Sequence, residues 1–375
     1  MERLGYLGRL YTGYPRSKVE RLPPAKVSTF PWLVAPMMAL GRLGMHRVAR
    51  RMQGIVASSF DNWTMRALEP CDVFHSLSGF GLRSHRVAKA RYGALTVCDR
   101  GSSHIEFQDE IIAEEHARWG IAYRGIDRSI VERELGEYGF CDLITVPSEF
   151  VRRSFIQKGV PELKLVKRPY GVDLTMFRPV AKEDKTFRVI FVGAMTLRKG
   201  LPYLLEAACA PGVPPLELWL IGSVDAEVAP LLARYRDRYR HLGVIPRSEL
   251  HKYYSQGSVF VIASIEEGLA LVQAQAMACG LPVIATTNTG AEDLFSDGVE
   301  GFIVPIRNAQ AIREKIIYLY ENPAIRDEMA EAAKRRVRSL GGWDRYGDLA
   351  ASCYRQILSA RSGFTELNVD ASGAA

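Results

Sequence analysis

From about residue 70 onward the chain repeats one pattern, a short and almost continuously apolar run followed by a helical period. FRVIFVG (187–193), LELWLIG (216–222), SVFVIAS (258–264) and LPVIATT (281–287) are each too apolar to turn one face to water. Such runs fit strands of a parallel sheet covered on both faces by helices, the architecture of doubly wound α/β folds. The earlier runs CDVFHSL, ALTVC and DLITVPS read as strands in the same way, with LRSHRVAKARYG, FQDEIIAEEHARWG, SIVERELGEYG and EFVRRSFIQKG as the helices between and after them. Most of these helices stop at a glycine, the residue that most easily adopts the left-handed conformation after a last turn.

At 375 residues the chain exceeds what one hydrophobic core usually organises. The segment KLVKRPYGVDLTMFRPV, with Pro169, Gly171 and Pro179, marks a turn-rich exit from a first unit. Two doubly wound domains are therefore expected, 1–178 and 179–342, followed by a helical segment 343–360 and a loose tail 361–375. The opening is atypical. A doubly wound unit starts with a strand, a glycine-bearing loop and a helix, yet only MERLGYLG precedes the strand-like RLYTGY. The first domain is accordingly expected to lack that opening strand-loop-helix.

Hydrophobic residues at 47% and charged residues at 24% exclude a disordered or fibrous chain. A formal charge of +7 favours anionic partners. The basic residues are dispersed and no stacking-aromatic module accompanies them, which argues against nucleic acid. Six cysteines lie far apart with no C-x-x-C pair, as buried hydrophobes in a reducing, cytoplasmic setting would. The seven histidines show no ligand spacing, so no metal site is expected. No signal-peptide apolar core or spanning segment is legible either.

Two stretches concentrate groups able to bind phosphates and sugars. In FVGAMTLRKG a strand ends at Gly193, a short loop carries Arg198 and Lys199, and a helix begins near Gly200. That junction places two cations beside free helix N–H groups, a site for an anion such as phosphate. Taken alone, the R-K-G tripeptide is better explained as a solvated loop with two surface cations. In IEEGLALVQAQAMACG, Glu267 precedes Gly268 on a loop, and Gln275 lies about two turns into the next helix. Both side chains can bond sugar hydroxyls. A capping carboxylate and a surface amide are the plain alternative. Neither G-x-x-x-x-G-K-[ST] nor G-x-G-x-x-G is present, so ATPase and dinucleotide readings gain nothing.

S-x-E-E-G-L-A-L-V-Q-A-Q-A-M-A-C-G-L-P-V-I-A-T resembles the signature of the group 1 (family 4) retaining glycosyltransferases. The similarity extends through FVGAMTLRKG, LGVIPRSELHKYYSQGSVFVIAS, GAEDLFSDGVEGFIVP and PYGVDLTMFRP. It implies the GT-B fold, two facing Rossmann-like domains with the acceptor on the first, a nucleotide-diphosphate sugar on the second, and the C-terminal helix 343–360 crossing back to the first. No cofactor beyond that donor is implied, and no metal is called for if cations fill its place. By resemblance Glu267 lies near the donor sugar, and Gly193, Gly268, Leu269 and Ala270 line the donor site. Arg198 and Lys199 neutralise the diphosphate, and Gln275 stands where a ribose-binding glutamate is usual. Ala194 replaces an arginine often found after the strand glycine. His104, just beyond ALTVC, matches a sugar-contacting residue facing Glu267 across the cleft, with Asp99 and Arg100 on the same rim.

The resemblance further implies transfer with retention of configuration to an acceptor hydroxyl, in cell-envelope or exopolysaccharide assembly. Residues 35–57 interleave Arg42, Arg47, Arg50 and Arg51 with methionines and aliphatics, a composition suited to an anionic membrane surface, so peripheral attachment is expected. A helix packed on its own domain with a basic outer face is the competing reading. Another class of protein, a catalytically weak scaffold that keeps the shape, is favoured by the Gln275 exchange and by the missing opening element. In-frame coding sequence upstream of Met1 for a strand-loop-helix would separate a displaced start from a shortened chain.

Overall fold

The computed structural model describes residues 1–20, 22–42 and 46–372, with side chains described except at 33, 40–42, 46–51 and 362–372. Three parallel sheets organise it. Strands β1 (Leu10–Thr12) and β2 (Val27–Thr29) pair with each other and precede helices α1 (Pro31–Arg42) and α2 (His46–Ala67). The first lobe then builds a sheet from β3 (Val73–Leu77), β4 (Leu95–Asp99), β5 (Leu143–Val146) and β6 (Leu165–Lys167), in that order. Between its strands run α3 (Leu82–Tyr92), α4 (Ile105–Arg118), α5 (Arg128–Phe140) and α6 (Glu149–Gln157).

The second lobe holds β7 (Arg188–Val192), β8 (Glu217–Ile221), β9 (Arg240–His241), β10 (Val259–Ile262), β11 (Val283–Thr286) and β12 (Gly301–Val304). Their order in the sheet is β12-β11-β10-β7-β8-β9. The apolar runs read from the sequence are its middle strands. Every residue of β7, β10 and β11 is buried, which is what a sheet covered on both faces requires. Helices α7 (Leu201–Ala208), α8 (Ala229–Arg234), α9 (Leu250–Ser255), α10 (Leu271–Ala278), α11 (Ala291–Leu294), α12 (Ala309–Glu321) and α13 (Pro323–Leu340) complete the lobe. Two large apolar clusters lie on opposite faces of the sheet, one around Leu201, Leu204 and Ile316, the other around Phe260, Met277 and Val337.

The last helix, α14 (Trp343–Ser372), leaves the second lobe and packs on the first. Ala350 and Tyr354 bury against Leu95 and Val97 of β4, and the Tyr354 hydroxyl lies 2.8 Å from His75 Nδ1. Its turn crosses the inter-lobe segment so closely that a Cβ at Gly171 would come within 2.4 Å of the Gly342 carbonyl carbon. The helix is assigned through Ser372, so the segment from 361, expected to be loose, continues it as helical backbone.

Local departures from the sequence expectation have local causes. The charged stretch 226–240, whose residues read as one helix, is helical only over the six residues of α8, the part that carries the apolar Leu232 into the core. Strand β6 hides in the turn-rich exit because three residues suffice to pair with β5. Among the described residues, no helix is long and apolar enough to cross a membrane, and no three His, Cys, Asp or Glu side chains gather as metal ligands. All six cysteines are free, and Cys98, Cys141, Cys209 and Cys279 are buried.

Since α14 is held by an apolar contact, a charge placed in it should release the helix. Ala350→Asp buries an unpaired carboxylate and is expected to cost ~3 kcal/mol. The urea midpoint of unfolding, compared with that of an exposed control such as Arg355→Asp, measures it.

Candidate active site

The two stretches singled out in the sequence meet at the carboxyl ends of β7 and β10, which are neighbours in the sheet. After β7 the chain turns at Gly193, whose φ of +153° few side chains tolerate. It reaches Gly200, at φ +64°, before entering α7. A Cβ at Gly200 would lie 1.8 Å from the carbonyl oxygen of Ala263, so glycine is needed for the two loops to touch. They are joined there by a hydrogen bond from Ile265 N to the Arg198 carbonyl, 2.8 Å. This contact sets Arg198 and Lys199 beside Glu266 and Glu267.

Each cation takes a different glutamate. Lys199 Nζ makes an ion pair with the Glu267 carboxylate. Arg198 Nε donates to Glu266 Oε2 at 2.8 Å, while its side chain stays about one-third exposed. Asn288 braces the glutamate loop, its carbonyl accepting from Glu267 N at 3.0 Å and its Nδ2 donating to the Ile265 carbonyl at 2.9 Å. Burial, then the Arg198 charge, lowers the Lys199 ammonium to about 7, with Glu266 opposing. Burial works to raise Glu266, but Arg198 and the hydrogen bonds from Ser103 and Gln108 hold it below the usual carboxylate range.

Glu266, the other member of the glutamate pair, is fully buried and joins the lobes. Its Oε1 accepts from Ser103 N (3.0 Å) and Ser103 Oγ (2.8 Å), and its Oε2 from Gln108 Nε2 (3.0 Å). The signal was present as the doubled glutamate, but nothing in sequence tells which of two adjacent acids turns inward. Gly268 also serves the lobe contact. A Cβ there would lie 1.7 Å from the Gly101 carbonyl oxygen, and its own carbonyl accepts from Ser148 Oγ at 2.5 Å. The close approach that this glycine permits is to the backbone of the other lobe.

Leu269 and Ala270 are buried where the loop enters α10, in the same apolar cluster. Two expected contacts fall elsewhere. His104 is 1% exposed and caps α4, its Nδ1 accepting from Glu106 N at 3.3 Å while its ring packs edge-on to Phe155. Burial and the charges of Lys158 and Arg100 lower it to about 4, so the imidazole stays neutral, as a cap acceptor must. Its neighbour Ser103 makes the crossing to the glutamate loop, through Glu266. Gln275 is likewise turned into the lobe, its Oε1 accepting from the buried Tyr254 hydroxyl at 3.2 Å. An amide suits that neutral partner, whereas a carboxylate would leave a charge in an apolar cluster. Asp99 and Arg100 do not pair: Asp99 accepts from Thr145 Oγ1 (2.8 Å), and Arg100 binds Glu134 and Gln108.

Residues 173–336 match the family described as Glycosyl transferases group 1. The second lobe is a group 1 glycosyl transferase domain. Among curated proteins, the chain is 28% identical over 255 residues to a D-inositol 3-phosphate glycosyltransferase of Pseudarthrobacter chlorophenolicus, covering 62% of this chain and 60% of that one. Against the first such relatives the matched region spans about half to three-fifths of their length. Among solved structures, the sucrose-phosphate synthase of Thermosynechococcus elongatus superposes with a TM-score of 0.67 at 23% identity, over 84% of this chain and 80% of that one. HepE of Anabaena, solved with UDP, superposes at 0.62 and 18% identity, over 80% of this chain and 82% of that one. These likenesses show the fold as GT-B. The transferase lobe thus carries its cationic loop and its glutamate loop on the edge that faces the first lobe.

An anion bound beside Lys199 would favour the ammonium form, so binding should take up a proton above pH 7 and weaken as pH rises past that value. Calorimetric titration of pyrophosphate at pH 8, in buffers of differing ionisation heat, is expected to report net uptake that Lys199→Met abolishes. Equal heats in every buffer would contradict it.

Proposed function

We propose that the chain moves a sugar from a nucleotide-diphosphate donor to an acceptor hydroxyl. The observation that carries this reading is the meeting of Arg198, Lys199 and Glu267 at the strand ends of a transferase lobe, facing a second lobe. As the sugar–phosphate bond lengthens, negative charge grows on the diphosphate and positive charge on the anomeric carbon. Fixed cations and oriented N–H groups lower that barrier without reorganising. Lys199 would exchange its contact with Glu267 for the diphosphate, freeing the carboxylate to accept from sugar hydroxyls. In the retaining route, the acceptor oxygen attacks from the face that the diphosphate leaves. The C–O bond to phosphate breaks, the new C–O bond forms, and the acceptor proton passes to the departing phosphate oxygen.

On the acceptor side, the first lobe and α14 enclose a cavity of about 1470 Å³. Met37, Met38, Val56, Phe60 and Leu77 give it an apolar lining, while His75, Glu134 and Arg168 supply polar groups. It lies apart from the cationic loop, and an acceptor with an apolar portion fits its chemistry. Because Met37 and Met38 line this cavity, part of the amphipathic stretch 35–57 packs on its own lobe. The side chains of Arg42, Arg47, Arg50 and Arg51 lie outside the described residues. A basic outer face touching anionic lipid during envelope or exopolysaccharide assembly remains part of the proposal on sequence grounds.

Incubation with UDP-, GDP- and ADP-sugars plus acceptor extracts should release a nucleoside diphosphate from one donor. Glu267→Ala and Lys199→Ala should each cut that release by about 10²-fold, with the thermal midpoint moving only slightly. No release from any donor, or losses that track unfolding, would favour the scaffold reading. Separately, reversing Arg42, Arg47, Arg50 and Arg51 to glutamate should abolish flotation with anionic liposomes; unchanged flotation would remove the membrane proposal.

A further inference from the structure

Glu266 belongs to the second lobe, yet three of its four hydrogen bonds come from the first. A carboxylate without exposed surface is stable as an anion only when donors surround it, and here Ser103, Gln108 and Arg198 are those donors. Gln108 is itself oriented from behind. Its Oε1 accepts from Arg100 Nη2 at 2.8 Å while its Nε2 donates to Glu266, the one amide orientation that matches a cation on one side and an anion on the other. Arg100 is anchored in turn by Glu134, 2.7 Å away, and Glu134 accepts from Ser78 Oγ at 2.8 Å on the rim of the acceptor-side cavity. The hydrogen bonds thus run unbroken from that rim, across the lobe boundary, to the arginine of the cationic loop.

Arg198 is held at one nitrogen only. Nε is committed to Glu266, and among the described residues neither Nη makes a hydrogen bond. A planar guanidinium anchored through Nε presents its two Nη groups as a fork, the geometry that grips a phosphate at two points. We propose that Glu266 is a positioning residue: held by Ser103 and Gln108 of the first lobe, it orients Arg198 so that the diphosphate clamp is complete only while the lobes are docked. This rests on the reading that Arg198 and Lys199 receive a nucleoside diphosphate. It assigns to Ser103 and Gln108, on the acceptor lobe, control over affinity on the donor lobe. Docking of the lobes and retention of the donor are then one event, because an undocked Glu266 has no partner but Arg198 and water.

Binding of UDP and GDP, and of uridine and guanosine, is measured by calorimetry on the full chain carrying Arg198→Ala, Ser103→Ala or Gln108→Met, singly and in pairs with Arg198→Ala. Glu266→Ala is avoided as the deciding variant because removing a buried anchor can unfold the chain. Arg198→Ala should weaken diphosphate binding by about tenfold or more. Ser103→Ala and Gln108→Met, in the other lobe, should weaken it by about three- to tenfold and add nothing further once Arg198 is gone. Nucleoside affinity should not change in any of them. Losses of equal size with and without Arg198, or a parallel loss of nucleoside binding, would overturn the positioning role and leave a structural one. If Arg198→Ala leaves diphosphate affinity intact, or neither diphosphate binds the unaltered chain, the clamp reading itself fails and this inference with it.

Discussion

A carboxylate with no exposed surface sits between the two lobes, and the geometry of the candidate site follows from keeping it satisfied. Moving an ion of this size out of water carries a penalty of several kcal/mol even after relaxation. Four hydrogen bonds to Glu266 offset it, and they can form together only when Ser103 and Gln108 of one lobe meet Arg198 of the other. The contact is therefore specific in register. Gly268 against Gly101 reinforces it, since any side chain at that position would force the backbones apart.

Helix α4 carries the same logic along the boundary. Glu115, also buried, accepts from Tyr203 Oη (2.7 Å) and Trp119 Nε1 (2.9 Å) and binds Arg307 Nε (2.7 Å). At the next residue, His116 Nε2 lies 3.0 Å from Glu227. Ile111 of this helix enters the apolar cluster of the second lobe. Charged groups buried with full sets of partners fix orientation, and the apolar contact supplies the attraction. Such a boundary keeps Arg198 and Lys199 in place before any ligand arrives, which is the preorganisation that electrostatic catalysis needs.

The buried strands β7, β10 and β11 and the helix stop at Gly93 were legible in the residues, because each rests on local periodicity or on a residue with one conformational use; the return of the last helix to the first lobe was implied by the family resemblance alone, its own pattern giving only a helix. Strands β2 and β6 were not legible, being three residues long and set among prolines and glycines. At the site, the loops and their cations were legible, and Lys199 and Glu267 do meet. His104 misled because a histidine after a strand end has the same sequence appearance whether it lines a cleft or caps the next helix. Gln275 misled for a related reason: spacing alone does not distinguish an inward helix position that looks at a ligand from one that looks at a neighbour such as Tyr254.

Alone, the order of residues determined a doubly wound, two-lobed chain with a cationic loop and a glutamate loop at strand ends, since apolar runs, glycines and helical periods act over a few residues. Which of Glu266 and Glu267 spans the lobes, which takes Lys199, and what Gly268 makes room for were decided only in three dimensions. Those outcomes depend on partners about 70 to 165 positions away in the chain, and a side chain's hydrogen bonds are set by what the fold brings to it.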